Sequence, residues 1–498
     1  MAAGVPAGPV RAQAHENAEE ILGLIRTNSD GDFDMGGTSS GFDPGGLNRR
    51  GVEPATLDIN CIRSHFDLAR SGRIVTNNAS STQPPRQLLD LYRSLVPSYE
   101  NVHRGQSTAS IETTALFEQS YDTIACWLNA PSRRNIVTYR NTTEAHNAVM
   151  YSLQTEFRDG DNIVTTMMEH NSNFVPWYAL CREILPRFGR TVECRLARFD
   201  HITGELDLDH LASLVDSRTK LICCTGASNF LGSKPPLRVL REIADRSGYP
   251  QPNGERRSRL LIDGAQLVPS GQVDVQDLDV DYLSFSFHKI MAPFGVGVLY
   301  AKEHLLQESL PFLYGGDMIA EGRVTAEQVD YNDLPWKFSA GTPNILGVIV
   351  SAQALRFAVD LVGAAGCPGY FRSNIPIPAA AVAAAMTAIG EHTCRLTGRA
   401  LDGLRAIPGV TIYGPPDPGR RSPLIAFNVA NRNPFAIAEP LNEAGVESRA
   451  GCHCATLAHR ELGLEPAGSC RLSFCLYNTI DDVDQAINAL RRILTGSR

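Results

Sequence analysis

Seven short apolar segments between residues 135 and 300, separated by helix-like windows, constrain the fold of this chain most strongly. Most are continuous apolar runs, which is the pattern of strands that are covered on both faces of a sheet. Alternation of such strands with helices indicates an α/β domain around a mainly parallel sheet. The predicted strands are Asn135–Tyr139, Asn162–Thr166, Val192–Leu196, Lys220–Cys224, Leu260–Ile262, Tyr282–Ser286 and Gly295–Tyr300, with helices at Glu144–Phe157 and Leu237–Arg246.

The pattern changes near residue 350, where an Ala-rich helical region with Pro and Gly just upstream replaces the alternation. We divide the chain into a partly disordered extension rich in Gly, Ala, Asp and Asn (1–55), a large ligand-binding domain (56–350) and a smaller C-terminal α+β domain (351–498). The smaller domain is predicted to contain a helix at Ile375–Ile389, strands at Val410–Tyr413 and Leu424–Val429, and an amphipathic closing helix at Asp481–Leu494.

Composition narrows the class of protein. The chain has 498 residues, with 46 basic and 54 acidic side chains, a formal net charge of −8, and no basic stripe. This balance argues against nucleic acid or an anionic membrane as a partner. No uninterrupted apolar segment reaches the roughly 18–20 residues of a membrane span, and the N-terminus does not read as a secretory signal. Twelve cysteines in so long a chain do not indicate a disulfide scaffold, and we expect a cytoplasmic protein.

The window Leu260–Tyr300 carries the strongest chemical signal. One apolar strand ends in Asp263, which places a carboxylate at the edge of the sheet where α/β proteins bind ligands. The next strand ends in the sequence SFHK, and a lysine such as Lys289 at the end of a buried strand is costly unless it has a function there. Pyridoxal phosphate chemistry needs a lysine for a Schiff base and an acid beside the pyridinium nitrogen. Alone, Lys289 is explained as a surface lysine and Asp263 as a helix N-cap. The window as a whole predicts a cofactor site.

A phosphate cradle is predicted where a strand passes into a helix at Asn141–Glu144. Free backbone N–H groups and hydroxyls at a helix N-terminus suit a phosphate, and Thr142 and Thr143 supply both. Ser286 and His288 are candidates for further donors from across the site. The alternative for this segment alone is an ordinary Thr N-cap with a nearby Glu.

These motifs follow one another from about Asn77 to the C-terminus in an order that resembles a known family. The chain is similar to the class V aminotransferase-like enzymes of fold-type I, which use pyridoxal 5'-phosphate, and most closely to the group II cysteine desulfurases. NNASSTQPP and NVHRG resemble the opening segments of that family, and NTTEAHN resembles its phosphate-binding turn. The resemblance implies that His170 in EHNSNFVPW stacks on the cofactor ring and that Asn229 in GASNFLGS contacts the phenolic oxygen of the cofactor and the substrate.

The same resemblance extends the cofactor site and implies a homodimer. FSAGTPN is similar to a segment whose threonine, here Thr342, reaches the phosphate in the neighbouring subunit. The cofactor-binding residues implied are Thr142, Thr143, His170, Asn229, Asp263, Gln266, Ser286, His288, Lys289 and Thr342.

Two C-terminal motifs define the reaction that the resemblance implies. RAGCHCA (Arg449–Ala455), in which Cys452–Cys454 form a polar cluster that predicts a loop, resembles the signature RxGHxCA and places Cys454 at the persulfide-forming position. CRLSFCLYNT resembles the strand whose arginine, here Arg471, binds the substrate carboxylate by a two-pronged contact. Lys289, freed by the substrate amine, then acts as a base at Cα, and the Cys454 thiolate attacks the substrate sulfur. Lys289, Cys454 and His170 are therefore the predicted catalytic residues.

The chain departs from the family pattern at two positions. Cys452 replaces the histidine of the signature, and Asn171 replaces the second histidine of EHHxNxxPW. Cys452 is either a relay or resolving thiol, or has no role. His453 is a candidate for stabilising the Cys454 thiolate. A metal site formed by the cysteines and histidines of this loop with His459 matches no standard zinc spacing, so no metal is expected.

The sequence therefore predicts a cysteine desulfurase that converts L-cysteine to L-alanine and holds the sulfur as a persulfide for an acceptor protein. One alternative is another lyase of the same fold, such as a selenocysteine lyase or a C–S or β-lyase, including one of secondary metabolism, because fold does not determine the reaction. Another is a non-catalytic relative that serves as a binding or scaffold subunit. The identity of the acceptor and the function of the extension are left open.

Overall fold

The computed structural model describes residues 57–363 and 376–496, and the predicted extension (1–55) lies outside these residues. The described part contains these strands: β1 (Ile74–Val75), β2 (Ile136–Tyr139), β3 (Asn162–Thr166), β4 (Glu193–Ala197), β5 (Thr219–Thr225), β6 (Arg259–Asp263), β7 (Tyr282–Ser286), β8 (Gly297–Ala301), β9 (Ile319–Val324), β10 (Val329–Tyr331), β11 (Val410–Tyr413), β12 (Leu424–Val429), β13 (Val446–Glu447), β14 (Arg449–Gly451) and β15 (Ser469–Ser473).

The α-helices connect and cover these strands. They are α1 (Ile59–Ser64), α2 (Leu68–Ser71), α3 (Arg86–Leu95), α4 (Thr108–Leu128), α5 (Thr142–Leu153), α6 (Val175–Ala179), α7 (Leu208–Leu214), α8 (Leu237–Asp245), α9 (Glu303–Glu308), α10 (Ile345–Gly363), α11 (Ala379–Arg405), α12 (Phe435–Glu443), α13 (Thr456–Glu461) and α14 (Ile480–Thr495).

The seven predicted strands form one seven-stranded sheet in the order β2-β8-β7-β6-β5-β3-β4. β8 runs antiparallel to both of its neighbours, and the remaining pairs are parallel, so the prediction of a mainly parallel α/β sheet is confirmed. The strands begin and end within two residues of the predicted bounds. The continuous apolar segments predicted these strands accurately because both faces of the sheet are buried.

Successive residues of a single strand show this double coverage directly. In β5, Leu221 and Cys223 belong to one apolar core, and Ile222 and Cys224 belong to a second core on the opposite face. Side chains of a strand point alternately to the two faces, so helices on each side bury every residue of β5. These two cysteines act as small buried apolar side chains.

A second, antiparallel sheet in the order β11-β12-β15-β14 lies in the C-terminal part of the chain. β11 and β12 were predicted with the observed bounds, whereas β14 was not predicted; the predicted loop, Cys452–Cys454, lies just after it. β14 and β15 pair so that Arg449 lies opposite Arg471. Helices α11 and α14 pack against this sheet around a third apolar core. Close to this sheet, β1 pairs with β13, and Asn77 bridges to Ser473, so the segment preceding the large sheet reaches the smaller one.

Two helices differ from their predicted extents by more than one residue, and a third was not predicted. α5 starts earlier than predicted because the Asn141 side chain caps it by accepting from the backbone N–H of Glu144 (3.0 Å). α11 runs on to Arg405, since buried apolar positions continue beyond Gly390, and the predicted start at Ile375 lies outside the described residues. α10 crosses the predicted domain boundary. Its Ile345–Val362 segment has the length and composition of a membrane span, but 78% of it is buried inside the protein, which accounts for its apolar character.

Candidate active site

A cavity of about 250 Å³ lies between the carboxyl ends of the large-sheet strands and the smaller sheet. Parallel strands bring their carboxyl ends to one edge, and in β6 the last residue, Asp263, pairs with Thr225 of β5 and Ser284 of β7. The large sheet contributes Asp263 and Lys289 to the cavity wall, and the smaller sheet contributes Arg471. Residues far apart in sequence therefore meet in one place.

Lys289 lies at the end of a short 3-10 turn, Phe287–Lys289, that follows β7. Phe287 is fully buried and anchors the turn. Burial lowers the pKa of Lys289 to about 8, an effect that Asp263 partly offsets and that the guanidinium of Arg471 reinforces. The amine is therefore much closer to its neutral, nucleophilic form at neutral pH than an exposed lysine is.

Asp263 is 3% exposed, and its Oδ1 accepts a hydrogen bond from the backbone N–H of Ala265 (2.9 Å). The carboxylate lines the same cavity as Lys289. Asp263 and Lys289, the predicted pair, therefore line one cavity. Pyridoxal phosphate requires this arrangement, with an acid for its pyridinium nitrogen and an amine for its aldehyde.

The predicted phosphate cradle forms where α5 begins. The Ser286 hydroxyl accepts from the backbone N–H of Thr142 (2.8 Å) and shares a hydrogen bond with the Thr142 hydroxyl (2.7 Å), whereas Thr143 is exposed and lines the cavity. A Cβ on Gly297 would lie 2.5 Å from the Asn141 backbone, so only glycine lets β8 pack this closely against the cradle. At the N-terminus of α5 the N–H groups of Thr142 and Glu144 are bonded to Ser286 and Asn141, so the Thr143 N–H and the helix dipole are the features that suit an anion.

His170 lies on the segment after β3 and lines the cavity. Its Nδ1 accepts from the backbone N–H of Ser172 (3.0 Å), which leaves the ring proton on Nε2. Burial lowers the pKa of His170 to about 4, so the ring is neutral at physiological pH. A neutral imidazole presents an uncharged face to a cofactor ring.

Glu169, which sequence reasoning did not select, fixes this segment. Its buried carboxylate accepts from the hydroxyl of Thr166 (2.6 Å), the amide of Asn173 (2.6 Å) and the backbone N–H of Thr225 (2.9 Å). Burial raises the pKa of Glu169 to about 8, because the three donors compensate desolvation only in part. The carboxylate thus ties the ends of β3 and β5 to the segment that carries His170.

Asn229, Gln266 and His288 also line the cavity, as predicted. The Asn229 amide donates to the backbone carbonyl of His453 (2.7 Å), and Gln266 donates to the carbonyl of Ala79 (2.7 Å). Burial, together with the neighbouring Lys289, lowers the pKa of His288 to about 4.

Arg471 and Arg449 face the cavity from the smaller sheet. Arg471 donates through Nη1 to the carbonyl of Asn229 (2.8 Å) and through Nη2 to the hydroxyl of Ser80 (2.8 Å), which also accepts from Arg449 (3.0 Å). Burial lowers the pKa of Arg471 to about 9, so the group remains charged at neutral pH. Neither guanidinium forms an ion pair with any carboxylate in the described part of the chain. Two positive charges without a counter-ion suit a substrate carboxylate.

Cys454 lies in a tight turn, Cys452–Ala455, between β14 and α13. The backbone N–H of Ala455 bonds to the carbonyl of Cys452 (2.8 Å), and both central residues have positive φ, 52° at His453 and 58° at Cys454. This mirror-image turn costs non-glycine residues about 1–3 kcal/mol each. Asn171 compensates by donating its backbone N–H to the carbonyl of Cys454 (2.7 Å). The segment of the large domain that carries His170 therefore holds the cysteine turn.

The structure corrects the expected source of thiolate stabilisation. His453 is 2% exposed, and burial lowers its pKa well below the usual histidine value, so it is neutral and provides no positive charge. Arg449 instead donates through Nη2 to Cys454 Sγ at 4.0 Å. This contact places a positively charged donor beside the predicted nucleophile.

Two predicted positions remain: Cys452 lies in the cysteine turn, and Thr342 lies on the surface of the protein. Cys452 is half-buried, and within residues 57–363 and 376–496 its thiol makes no hydrogen bond. No group of three or more His, Cys, Asp or Glu in those residues is arranged to hold a metal. Thr342 is exposed and lies outside the cavity of its own chain, so its predicted role toward a second subunit stays a prediction.

The cavity fits pyridoxal 5'-phosphate on features of its own. Three buried polar atoms on its wall have no partner among the described residues: Asn229 Oδ1, His453 Nδ1 and Arg471 Nε. Buried polar groups are normally hydrogen-bonded, so unpartnered polar atoms on residues that line a cavity suit a polar ligand there. An anion cradle, a carboxylate and a neutralisable lysine at the same cavity match the phosphate, ring nitrogen and aldehyde of this cofactor.

Sequence reasoning missed Arg449 and Ser80 as site residues although it had singled out the motifs that contain them. RAGCHCA holds Arg449 and NNASSTQPP holds Ser80. Their functional signal is a contact across 369 residues of chain, between the Arg449 guanidinium and the Ser80 hydroxyl. No local pattern contains that information.

The chain is similar to known proteins over most of its length. The family model for aminotransferase class-V matches residues 74–366 and 379–486. A probable cysteine desulfurase of Halobacterium salinarum is 34% identical over 88% of this chain and 97% of its own length. A cysteine desulfurase of Klebsiella pneumoniae is 36% identical over 88% of this chain and 98% of its own length. Among solved structures, the cysteine desulfurase CsdA of Escherichia coli, in its S-sulfonic acid form, is similar with a TM-score of 0.74 and 29% identity, over 88% of this chain and 99% of that one.

Proposed function

This chain belongs to the class V aminotransferase family, as a cysteine desulfurase of fold-type I that uses pyridoxal 5'-phosphate, and we propose that Cys454 receives the sulfur of L-cysteine while L-alanine is released. The observation that carries this assignment is one cavity joining the Lys289 amine and the Asp263 carboxylate to Arg449, which holds Cys454 Sγ. Another lyase of the same fold is not favoured, because relatives at 34% and 36% identity are cysteine desulfurases.

When bound, pyridoxal 5'-phosphate supplies an aldehyde that forms an imine with an amine, and a ring that draws in the electron pair of a breaking bond. We propose that Lys289 would bind the aldehyde and that Asp263 would interact with the ring nitrogen. The N-terminus of α5, with Thr143, would hold the phosphate, and His170 would cover the ring face. Thr142, Gln266, Ser286 and His288 line the wall where these groups would lie, and Asn229 would face the phenolic oxygen.

Substrate binding follows from the charges on the wall. Arg471 binds the carboxylate of L-cysteine, because its charged guanidinium has no acidic partner and its Nε is free. Lys289 would be a base for the Cα proton of the bound substrate. Its pKa of about 8 lies near the operating pH, where a proton-transfer group is most effective.

Sulfur transfer uses Cys454. The thiolate attacks the substrate sulfur, a sulfur–sulfur bond forms, and the carbon–sulfur bond breaks with its electron pair remaining on the three-carbon fragment. That fragment takes up a proton and leaves as L-alanine. One L-cysteine and one Cys454 thiol thus become one L-alanine and one Cys454 persulfide, with no external oxidant or reductant.

We also propose that the enzyme is a homodimer. Thr342 is exposed, and a projecting hairpin of β9 and β10 exposes apolar Val324, Val329 and Tyr331. Exposed apolar clusters of this kind are typical of protein interfaces. A second copy placed there would cover the hairpin and bring Thr342 to the phosphate of the neighbouring site.

An acceptor protein and a cytoplasmic location complete the proposal. A persulfide must be passed on before the next turnover, and Cys454 is half-buried, so a partner's thiol has access to it. A free reactive thiol at this position needs a reducing compartment. Cell fractionation and capture of a disulfide-linked partner by the persulfide-forming enzyme test these two points.

The function is tested by the products of the purified holoenzyme. With L-cysteine as substrate, we expect alanine, and under single-turnover conditions one added sulfur atom on the peptide that contains Cys454, measured by mass spectrometry. Pyruvate and ammonia in place of alanine would identify a β-lyase. A preparation that takes up no cofactor and turns over neither L-cysteine nor L-cystine would be a scaffold subunit.

A further inference from the structure

A buried histidine on α5, His146, joins the elements that carry the cofactor-binding residues. It follows Thr142 by four residues, is 0% exposed and has no role in the function proposed above. Burial lowers the pKa of His146, so its imidazole is neutral at physiological pH. Buried polar groups are normally hydrogen-bonded, and the partners of this ring show what it holds in place.

The two ring nitrogens of His146 bond to two different segments of the large domain. Nδ1 lies 2.9 Å from the backbone carbonyl of Ser172, and because a carbonyl only accepts, Nδ1 carries the single ring proton. Nε2 then accepts the hydrogen of the Ser284 hydroxyl at 2.6 Å. The partners therefore fix both the tautomer and the orientation of the ring.

The bond to Ser284 repeats the contact that forms the phosphate cradle. Ser284 and Ser286 are two residues apart in β7, so their side chains point to the same face of the sheet. Thr142 and His146 are four residues apart in α5 and also share one face. Each serine hydroxyl bonds to one of these two helical residues. α5 is thereby held at two successive turns against β7, the strand that leads to Lys289.

The bond to Ser172 extends this arrangement to His170. The backbone N–H of Ser172 donates to His170 Nδ1 (3.0 Å), and the Ser172 hydroxyl lies 2.8 Å from the same nitrogen. Within residues 57–363 and 376–496, the hydrogen bonds of Ser172 go to His146 and His170 alone. Glu169 anchors the neighbouring Asn173, so the bond from His146 is the one that holds Ser172 itself.

We propose that His146 is a positioning residue for His170. It holds Ser172, and through Ser172 the imidazole that covers the cofactor ring, at a fixed place relative to the strand that leads to Lys289. The inference rests on the cofactor-binding role of His170 in the function proposed above. Because His146 acts through His170, its effect on cofactor binding should disappear when the His170 ring is absent.

A double-mutant cycle on cofactor binding tests this proposal. His170→Ala removes the stacking ring, and we expect the Kd of pyridoxal 5'-phosphate for the cofactor-stripped enzyme to rise about tenfold, near the upper end of the contribution of an aromatic pair. His146→Leu fills the buried space without either hydrogen bond, and we expect the Kd to rise about three- to tenfold, with weaker circular dichroism in the yellow band. In the His170→Ala background, His146→Leu should change the Kd less than about twofold.

Three further variants separate positioning from folding. His146→Asn retains a donor near the place of Nδ1, so it should recover most of the affinity and of the dichroism. Ser284→Ala is a smaller change that removes the partner of Nε2, and it should raise the Kd about threefold, again only when His170 is present. His392→Leu is the matched control, since His392 is a buried histidine of α11 that bonds to the Asn478 carbonyl, and it should leave the Kd unchanged.

A loss in His146→Leu that disappears in the His170→Ala background, with recovery in His146→Asn, supports the proposal. An equal loss in both backgrounds overturns it, because His146 would then act without His170, and so does an unchanged Kd in His146→Leu. If His146→Leu does not fold, Ser284→Ala in the two backgrounds decides in the same way.

Failure of the proposed function gives different results. If His170→Ala leaves both the Kd and the yellow band unchanged, the cofactor-binding role of His170 is wrong, and this inference is overturned with it. If the unsubstituted enzyme takes up no cofactor, the proposed function itself is refuted. Uptake of cofactor without coupling between His146 and His170 overturns the inference alone.

Discussion

The cofactor side and the sulfur side of the cavity are built differently. On the cofactor side, Asp263 and Lys289 follow regular, fully buried strands of the large sheet, and their positions are set by the strands themselves. On the sulfur side, Cys454 lies in a positive-φ turn that depends on a backbone hydrogen bond from Asn171. A strained turn persists only when its surroundings hold it in place.

The difference separates two tasks. The cofactor half must keep a ring and a phosphate in one position, which strand ends and a helix N-terminus do well. The sulfur half must present a thiol to the substrate and then to an acceptor, and a short turn at the surface of the cavity allows both. We therefore expect variants of the two halves to differ in whether they affect the bound cofactor.

The largest effect should come from the cofactor half. Lys289→Ala removes the amine that binds the aldehyde, so both the yellow absorption band of the holoenzyme and desulfuration should be lost, the latter by at least about 10³-fold. Absorbance after cofactor addition and an alanine assay measure this. Lys337→Ala, a partly buried lysine that bonds to the carbonyls of Leu306 and Gln307, is the matched control and should retain both.

Cys454→Ser should affect the sulfur half of the cavity without affecting the cofactor half. The yellow band should remain, because no cofactor contact is removed, while alanine formation from L-cysteine falls by about 10³-fold, since a serine hydroxyl does not form a persulfide. Cys452→Ser is the control from the same turn and should have a milder effect. Equal loss in both variants would assign the nucleophile to the pair and not to Cys454.

The pH dependence of cofactor uptake sharpens the account of the cofactor half. Burial lowers the pKa of Lys289 to about 8, so its neutral form increases with pH up to that value. The rate at which cofactor-stripped enzyme recovers the yellow band should rise about tenfold per pH unit from pH ~6 and level off above pH ~8. A rate that continues to rise toward pH ~10 would mean that the amine is not desolvated.

A smaller effect is expected in the sulfur half. Arg449→Gln removes the charge beside Cys454 Sγ, so alkylation of Cys454 by iodoacetamide should slow about tenfold, with the yellow band retained. Arg432→Gln, an exposed arginine on the turn after β12, is the control and should leave the alkylation rate unchanged. Loss of the band in Arg449→Gln would show that the two halves are not independent.

The sequence predicted the cofactor half of the cavity more completely than the sulfur half. The strands of the large sheet were located within two residues, because continuous apolar segments reflect burial on both faces. Asp263 was found because it ends such a strand, and Lys289 because it lies three residues beyond the end of the next one. The Cys454 turn was recognised by its polar residues and its motif, but β14 was not predicted, since three residues are too few to show strand periodicity.

The sequence by itself determined the α/β class, the strand ends that carry the acid and the amine, and the order of the motifs, because these depend on residues close together in the chain. Tertiary structure decided that Arg449, not His453, supports Cys454, and that Ser80 joins two arginines from the other end of the chain. The physical reason is that the charge state of a buried histidine depends on its desolvation, and desolvation is set by whichever distant segments pack around it.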